Sequence, residues 1–359
     1  MQTQRNKMDF KGQKIYVGFD VHLKNWLVTI LTEKMTHRTF SQPGSPETLY
    51  NYLVKTFPGA EYYSAYEAGF CGYWIHDTLT QLGVHSIVVN PADIPTTGKE
   101  KVNKNDTRDS VKIARSLRNG DLKPIYVPST TTLEDRGLVR TRAALVNDQT
   151  RCKNRIKSFL YFRGIKLPEA FSNPNTHWSN RFNQWLDNIV LPDLSSKTTL
   201  NAYLDQNRHL RGAVLQTTKI IRGLSKTEPY KERQELLRSI PGISYLTAMT
   251  LLTELESIDR FASFDHLCSY VGLVPSTNSS GENDVIGGLT PRGHPVLRSA
   301  VIESAWVAAR LDPALNKSFH EYCKRMDSNK AIIRIARKLL SRIRFVLKNK
   351  QPYIFSVVK

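Results

Sequence analysis

Ile15, Val17, Phe19 and Val21 alternate with Tyr16, Gly18 and Asp20 at the two-residue period of a β-strand. The segment is too apolar for an exposed edge, so it predicts a central strand, which needs strands beside it and helices over its faces. It also carries a carboxylate, which is costly to bury without a cation, a hydrogen-bond donor or a solvent-filled cleft. Asp20 therefore stands either at a turn, capping the loop His22–Asn25, or at a functional cleft.

The residues beyond Val21 supply the neighbours. Strands fit Trp26–Leu31, His37–Phe40, Tyr62–Tyr66 (running into Glu67) and Ser86–Val89. Helices fit the stretch from Pro46 to Pro58-Gly59, then Tyr73–Leu82, and then Asp106–Leu117 beyond the basic stretch Lys99, Lys101 and Lys104. Residues 12–130 thus read as an α/β domain. Residues 131–236 change to a helical, coiled-coil-like middle. It holds one long helix over Thr131–Gly164, an irregular insert over 165–195 with Trp178 and Trp185, and a second helix from Lys197 to Ile240 that is broken near Ser225–Pro229. Residues 237–350 form a helical C-terminal domain opening on Ile240-Pro241-Gly242-Ile243-Ser244, a helix-hairpin-helix-like turn. Gly242 there brings backbone amides to a phosphate or simply allows tight packing. In the last helix Ile332, Ala336, Leu339, Leu340 and Ile343 make an apolar stripe, and Arg334, Arg337, Lys338 and Arg342 a solvated or phosphate-contacting face.

Charge narrows the partner. The 359 residues carry 51 Lys and Arg against 32 Asp and Glu, a net charge of +19. That excess points to a polyanion, DNA or RNA. No apolar run is long enough to span a bilayer, and the N-terminus lacks a signal-peptide core. Cys71, Cys152, Cys268 and Cys323 lie far apart, without zinc-ligand spacing or a disulfide framework. A cytoplasmic protein is expected.

Three stretches carry chemistry. Asp106 and Asp109 are three apart and share a helix face, either as an N-cap with its partner or as ligands. Asp20 and Glu67 end strands, and in a parallel sheet strand ends and following helix starts converge. Four carboxylates at one place repel unless divalent cations neutralise them, and hard oxygen ligands select Mg²⁺ or Mn²⁺. Two such ions would suit phosphodiester cleavage. The third stretch, Gly272–Gly281 followed by Arg292 and Arg298, is either a flexible polar turn or a serine nucleophile with arginines to hold a phosphate.

Tyr-Val-Gly-Phe-Asp20-Val-His, Tyr-Glu67-Ala-Gly and Lys-Asn-Asp106-Thr-Arg-Asp109-Ser together resemble the Asp-Glu-Asp-Asp set of the insertion-sequence family numbered one-ten. Ile-Pro-Gly-Ile, Val-Gly-Leu-Val-Pro and Ser-Ser-Gly resemble its C-terminal transposase domain. The resemblance implies an RNase H-like (RuvC-like) N-terminal domain, a coiled-coil middle and a serine-bearing C-terminal domain. It implies a transposase/recombinase guided by a structured RNA that pairs with donor and target DNA, in a homo-oligomer of two to four chains in a bacterial or archaeal cell, nucleoid-associated. Asp20, Glu67, Asp106 and Asp109 would hold Mg²⁺. The serine before glycine would be Ser280, with Ser279 as fallback, and the acidic and serine halves would meet across subunits. One departure is Pro291-Arg292-Gly293-His294, where the family often has Lys-Arg-Gly-Asn. Two alternatives stay open: a metal-only RuvC-like junction nuclease, for which Ser280 is dispensable, and a non-catalytic nucleic-acid-binding protein.

Overall fold

The alternating segment folds as β1 (Lys14–Val21), the middle strand of a five-stranded sheet. The computed structural model describes residues 9–95, 106–280 and 283–355, and of these the side chains of 106–107 and 277–286 are not described. Lys99, Lys101 and Lys104 lie outside the described residues. The chain divides into two units, Met1–Val127 and Pro128–Lys359.

In the first unit, β2 (Asn25–Leu31) and β3 (Thr36–Pro43) continue from β1 as an antiparallel meander. After α1 (Pro46–Thr56) comes β4 (Glu61–Glu67), and after α2 (Trp74–Gln81) comes β5 (His85–Val89), both parallel to β1. Strand order is β3-β2-β1-β4-β5. Helix α3 spans Asp106–Asn119. The third strand runs well past the expected His37–Phe40, because Gln42 and Pro43 keep pairing with Trp26 and Asn25.

The two faces of β1 pack differently. Ile15, Val17 and Phe19 are fully buried among Leu49 and Leu53 of α1 and Ile75 and Leu79 of α2. Gly18 faces α3. A β-carbon built there would lie 2.2 Å from the Ala114 amide nitrogen and 2.5 Å from the Ser110 carbonyl oxygen. Only a glycine admits the helix backbone this close. Beside that contact, fully buried Thr29 shares hydroxyl hydrogen bonds of 2.9 Å with both Ser110 and Thr39.

The second unit is mostly helical. Helix α4 (Thr130–Phe162) leads through two short 3₁₀ turns to α5 (Asn180–Asp187), then α6 (Leu194–Leu224). Arg142 Nε donates to Thr218 at 2.7 Å, and Cys152 Sγ lies 3.4 Å from the Tyr203 carbonyl. One number rises as the other falls, so the two long helices run antiparallel. The stretch 165–195 is less irregular than its sequence suggests. Phe171, Phe182, Leu186 and Ile189 form a small core with Cys152, Ile156 and Leu160 of α4 and Leu200 and Leu204 of α6.

The rest of the chain continues as α7 (Lys231–Arg238), α8 (Tyr245–Leu255) and α9 (Phe264–Val271), a hairpin of β6 (Pro275–Ser280) and β7 (Asn283–Leu289), then α10 (Pro295–Leu311), α11 (Pro313–Cys323) and α12 (Ser328–Asn349). The second long helix stops after Leu224 and the chain turns helical again at Lys231, so the expected break near Ser225–Pro229 is present. One correction arises here: the glycine-flanked serine stretch is a strand rather than a turn. The basic side of α12 is also partly spent inside the unit. Arg337 donates to the Leu273 carbonyl at 2.9 Å, and Arg342 reaches the fully buried Asp312 carboxylate at 2.8 Å.

Candidate active site

Register brings the first two carboxylates together. Gly18 pairs with Ala65 and Phe19 with Tyr66 in the parallel β1–β4 ladder, so Asp20 and Glu67 are next in line, at the same end and on the same face as Gly18 and Ala65. That face is covered by α3, since Ala65 packs with Ile113 and Gly18 touches Ser110 and Ala114.

The helix runs against β1. Ser110 bonds Thr29, opposite Gly18, and Arg118, farther along, donates to the Thr32 carbonyl just past β2 at 3.4 Å. The first turn of α3, with Asp106 and Asp109, therefore points toward the strand ends that carry Asp20 and Glu67. The Asp106 side chain lies outside the described residues. Carboxylates in a first helical turn are also stabilised by the positive end of the helix dipole.

None of the three described carboxylates is bare. His22 Nε2 lies 3.3 Å from Asp20 Oδ2, and Lys112 Nζ donates to Asp109 Oδ1 at 3.0 Å. Asp20 and Asp109 keep 24% and 27% of their side-chain surface exposed, enough to meet a ligand. Among the described residues no group of three or more His, Cys, Asp or Glu is close enough together to hold a metal ion. The donor set itself is all oxygen, which fits a hard divalent cation. His22 was missed as a partner because its neighbourhood reads as a loop.

Ser280 ends β6, in register with Asn283, and Ser279 pairs with Asp284. Their side chains lie outside the described residues. The base of this hairpin is built in detail. Arg298 Nη2 donates to the carbonyls of Thr290 at 2.9 Å and Arg292 at 2.7 Å, so Arg298 braces the segment leaving β7 while Arg292 stays exposed. Gly272 and Gly293, at φ +82° and +125°, pass back to back: a β-carbon on Gly293 would lie 2.4 Å from Gly272 Cα. Gly242, at φ +89°, sits against α10, where a β-carbon would lie 2.4 Å from the Ser304 carbonyl. Close packing accounts for that glycine.

Behind the hairpin is a cluster that sequence reasoning overlooked. Glu254, 1% exposed, accepts from Arg140 Nε at 2.6 Å and Nη2 at 2.8 Å, with Arg136 Nε at 3.4 Å and His294 Nε2 at 3.1 Å. His294 caps α10, its Nδ1 accepting from the Leu297 amide, so Nε2 carries the proton given to Glu254. The residue standing where the resembled family often has Asn thus serves as a helix cap. Burial works to raise the Glu254 pKa, but the hydrogen bonds from His294 and Arg140 and the Arg140 charge overcome it and hold the group at about 2. A depressed carboxylate stabilises the fold above its unfolded pKa and loses that contribution as pH falls through the folded one. We expect Glu254→Gln to cost roughly 3 kcal/mol at pH 7, a gap that closes between pH 5 and 2. Urea unfolding of both proteins across that range checks it, and a gap independent of pH would refute the assignment.

Both parts of the chain match known proteins. A DEDD transposase model matches residues 17–162, and the model for the transposase IS116/IS110/IS902 family matches residues 234–321. The chain is 30% identical to the transposase for insertion sequence element IS1533 of Leptospira borgpetersenii over 82% of this chain and 85% of the relative. It is 24% identical to the transposase for insertion sequence element IS1111A of Coxiella burnetii over 79% and 77%. It is 31% identical to the pilin gene-inverting protein of Moraxella bovis over 43% of this chain and 49% of that protein.

Proposed function

This chain belongs to the IS116/IS110/IS902 family of transposases, and from that membership we propose that it cleaves and rejoins DNA strands under RNA guidance, using four carboxylates and a serine. Its reaction is phosphodiester strand transfer on DNA. The observation that carries the rest is the register that sets Asp20 beside Glu67 under the first turn of α3.

We read the mixed sheet of order β3-β2-β1-β4-β5 as RNase H-like, with the long-helix and C-terminal portions of the second unit as separate functional domains. Asp20, Glu67, Asp106 and Asp109 would hold Mg²⁺ or Mn²⁺. The chemistry such a cation supplies is neutralisation of the clustered carboxylates and polarisation of the phosphodiester. His22 orients the Asp20 carboxylate, and Lys112 holds Asp109 on its helix face. Ser280 attacks phosphorus and forms a phosphoserine bond, the strand's own P–O bond breaks, and the departing oxygen takes up a proton. Arg292 meets the phosphate at the base of the hairpin while Arg298 fixes its carbonyl. Lys99, Lys101 and Lys104 add phosphate contacts. A structured guide RNA, donor and target DNA, a homo-oligomer and a nucleoid-associated place in the cytoplasm complete the reading. The charge of +19 supports polyanionic partners, and no helix among the described residues is long and apolar enough to cross a membrane.

Trapping tests the serine. Denaturing electrophoresis of a reaction on labelled DNA is expected to show a covalent protein–DNA adduct that Ser280→Ala abolishes. An adduct lost only in Ser279→Ala moves the nucleophile by one residue. No adduct, with cleavage intact in both variants, would leave a metal-only nuclease instead.

A further inference from the structure

The tip of α4 carries a feature that neither the acidic site nor the serine hairpin uses. Arg151, Arg155, Phe159 and Phe162 follow one another at intervals of four, four and three residues, one stripe of the helix surface. Asn154 and Ser158 flank it, and Tyr203 of α6 closes its far side, its ring 6.4 Å from that of Phe159 and nearly perpendicular. These residues line a shallow groove. Phe162 leaves 84% of its surface in water, unusual for so large an apolar side chain.

Charge says what belongs there. Residues 151–166 contain six Lys and Arg and no carboxylate. Three of the six are taken up locally, since Arg163 pairs with Asp193, Arg151 pairs with Asp148 and Lys153 lies 5.3 Å from the Trp178 ring centre. Arg155 meets no carboxylate among the described residues and lies exposed beside the two phenyl rings. A flat apolar ring, a guanidinium within reach and amide and hydroxyl groups between them suit one kind of ligand. A base stacks on the ring, a phosphate pairs with the guanidinium, and the polar groups meet the base edge. A second copy of the same stripe fits less well, because it would bring arginines against arginines.

We propose that the groove formed by Arg155, Phe159, Phe162 and Tyr203 binds an unpaired nucleotide of a single-stranded nucleic acid. The site would hold a strand released from pairing, in RNA or in opened DNA, and it depends on neither the metal nor the serine assignment. A base still inside a duplex has its faces covered by its neighbours and cannot stack there.

The test uses the full-length chain and three dye-labelled probes of one sequence: single-stranded RNA, single-stranded DNA and duplex DNA. Fluorescence anisotropy is expected to show Phe162→Ala weakening binding of at least one single strand about tenfold, with duplex binding unchanged. Phe162→Trp should restore it. Arg155→Ala should weaken the same probe and flatten its salt dependence by about one phosphate contact. The strand that responds identifies the source as RNA or DNA. Single-strand binding within twofold of wild type in Phe162→Ala would overturn the proposal. So would a change of oligomeric mass in that variant without a change in binding, which would assign the stripe to self-association.

Discussion

Asp20→Asn is expected to lower strand transfer by about a thousandfold while leaving the fold and nucleic-acid binding intact. The side chain keeps its volume, and its amide oxygen can still accept from His22. What disappears is one negative charge at the end of β1. Loss of a group that stabilises a phosphoryl-transfer transition state by several kcal/mol costs tenfold per 1.36 kcal/mol, hence the estimate of about 10³. A residue serving only to cap the His22–Asn25 turn predicts the reverse, a lower melting temperature with activity retained. A further readout separates these outcomes without turnover. If the carboxylates hold a cation, added Mg²⁺ raises the melting temperature of the wild type by mass action and not that of Asp20→Asn. Recombination within threefold of wild type, or an unchanged Mg²⁺ response in the variant, would remove Asp20 from the site.

Gly18→Ala carries the second large effect, this time on stability. The added methyl would meet backbone atoms of Ser110 and Ala114 at 2.5 and 2.2 Å, and backbone cannot rotate away as a flexible side chain does. Either β1 bows or α3 lifts from the sheet, and Thr29 loses its hydroxyl partner on the helix. Overpacking of this kind costs about 3 kcal/mol. The urea midpoint should fall accordingly, and activity should fall further than stability alone explains, since α3 carries Asp106 and Asp109. An unchanged midpoint would mean that the helix backs away freely and does not fix the acidic end. A companion substitution at Gly83, where a β-carbon meets nothing but φ is +87°, isolates the purely conformational cost.

The contrast between what could and could not be read from the sequence has physical causes. β1 was legible because Ile15, Val17 and Phe19 alternate with residues of another character, and α1 because Pro46 announces its start. The β6–β7 hairpin was not, since Pro275-Ser-Thr-Asn-Ser-Ser280 has no apolar alternation. Its strand character comes from pairing with Val285, Ile286 and Leu289 across the turn. The helix hidden at Asn180–Asp187 is short and takes its stability from two other helices rather than from its own composition. The Glu254 cluster joins residues 114 positions apart to Arg140 and brings His294 from a third element. No local window contains it, although a single acid inside the apolar run Leu246–Leu255 was its visible trace. Within the candidate active site, residue types and chain order were available from the sequence. The register that seats Asp20 beside Glu67, and the direction in which α3 crosses the sheet, needed the structure.

The hydroxyl ladder from Ser110 through Thr29 to Thr39 has a practical corollary for handling the protein. The helix bearing half of the carboxylates is seated on the sheet mainly by uncharged groups, a backbone contact at Gly18 and the buried Ser110–Thr29 hydroxyl bond, which the Thr29–Thr39 bond continues across the sheet. Such contacts are indifferent to ionic strength, whereas the grip of a strongly basic chain on phosphate is not. Concentrated salt should therefore strip bound nucleic acid from the chain without loosening that seat, and catalysis should return on dilution without a refolding lag.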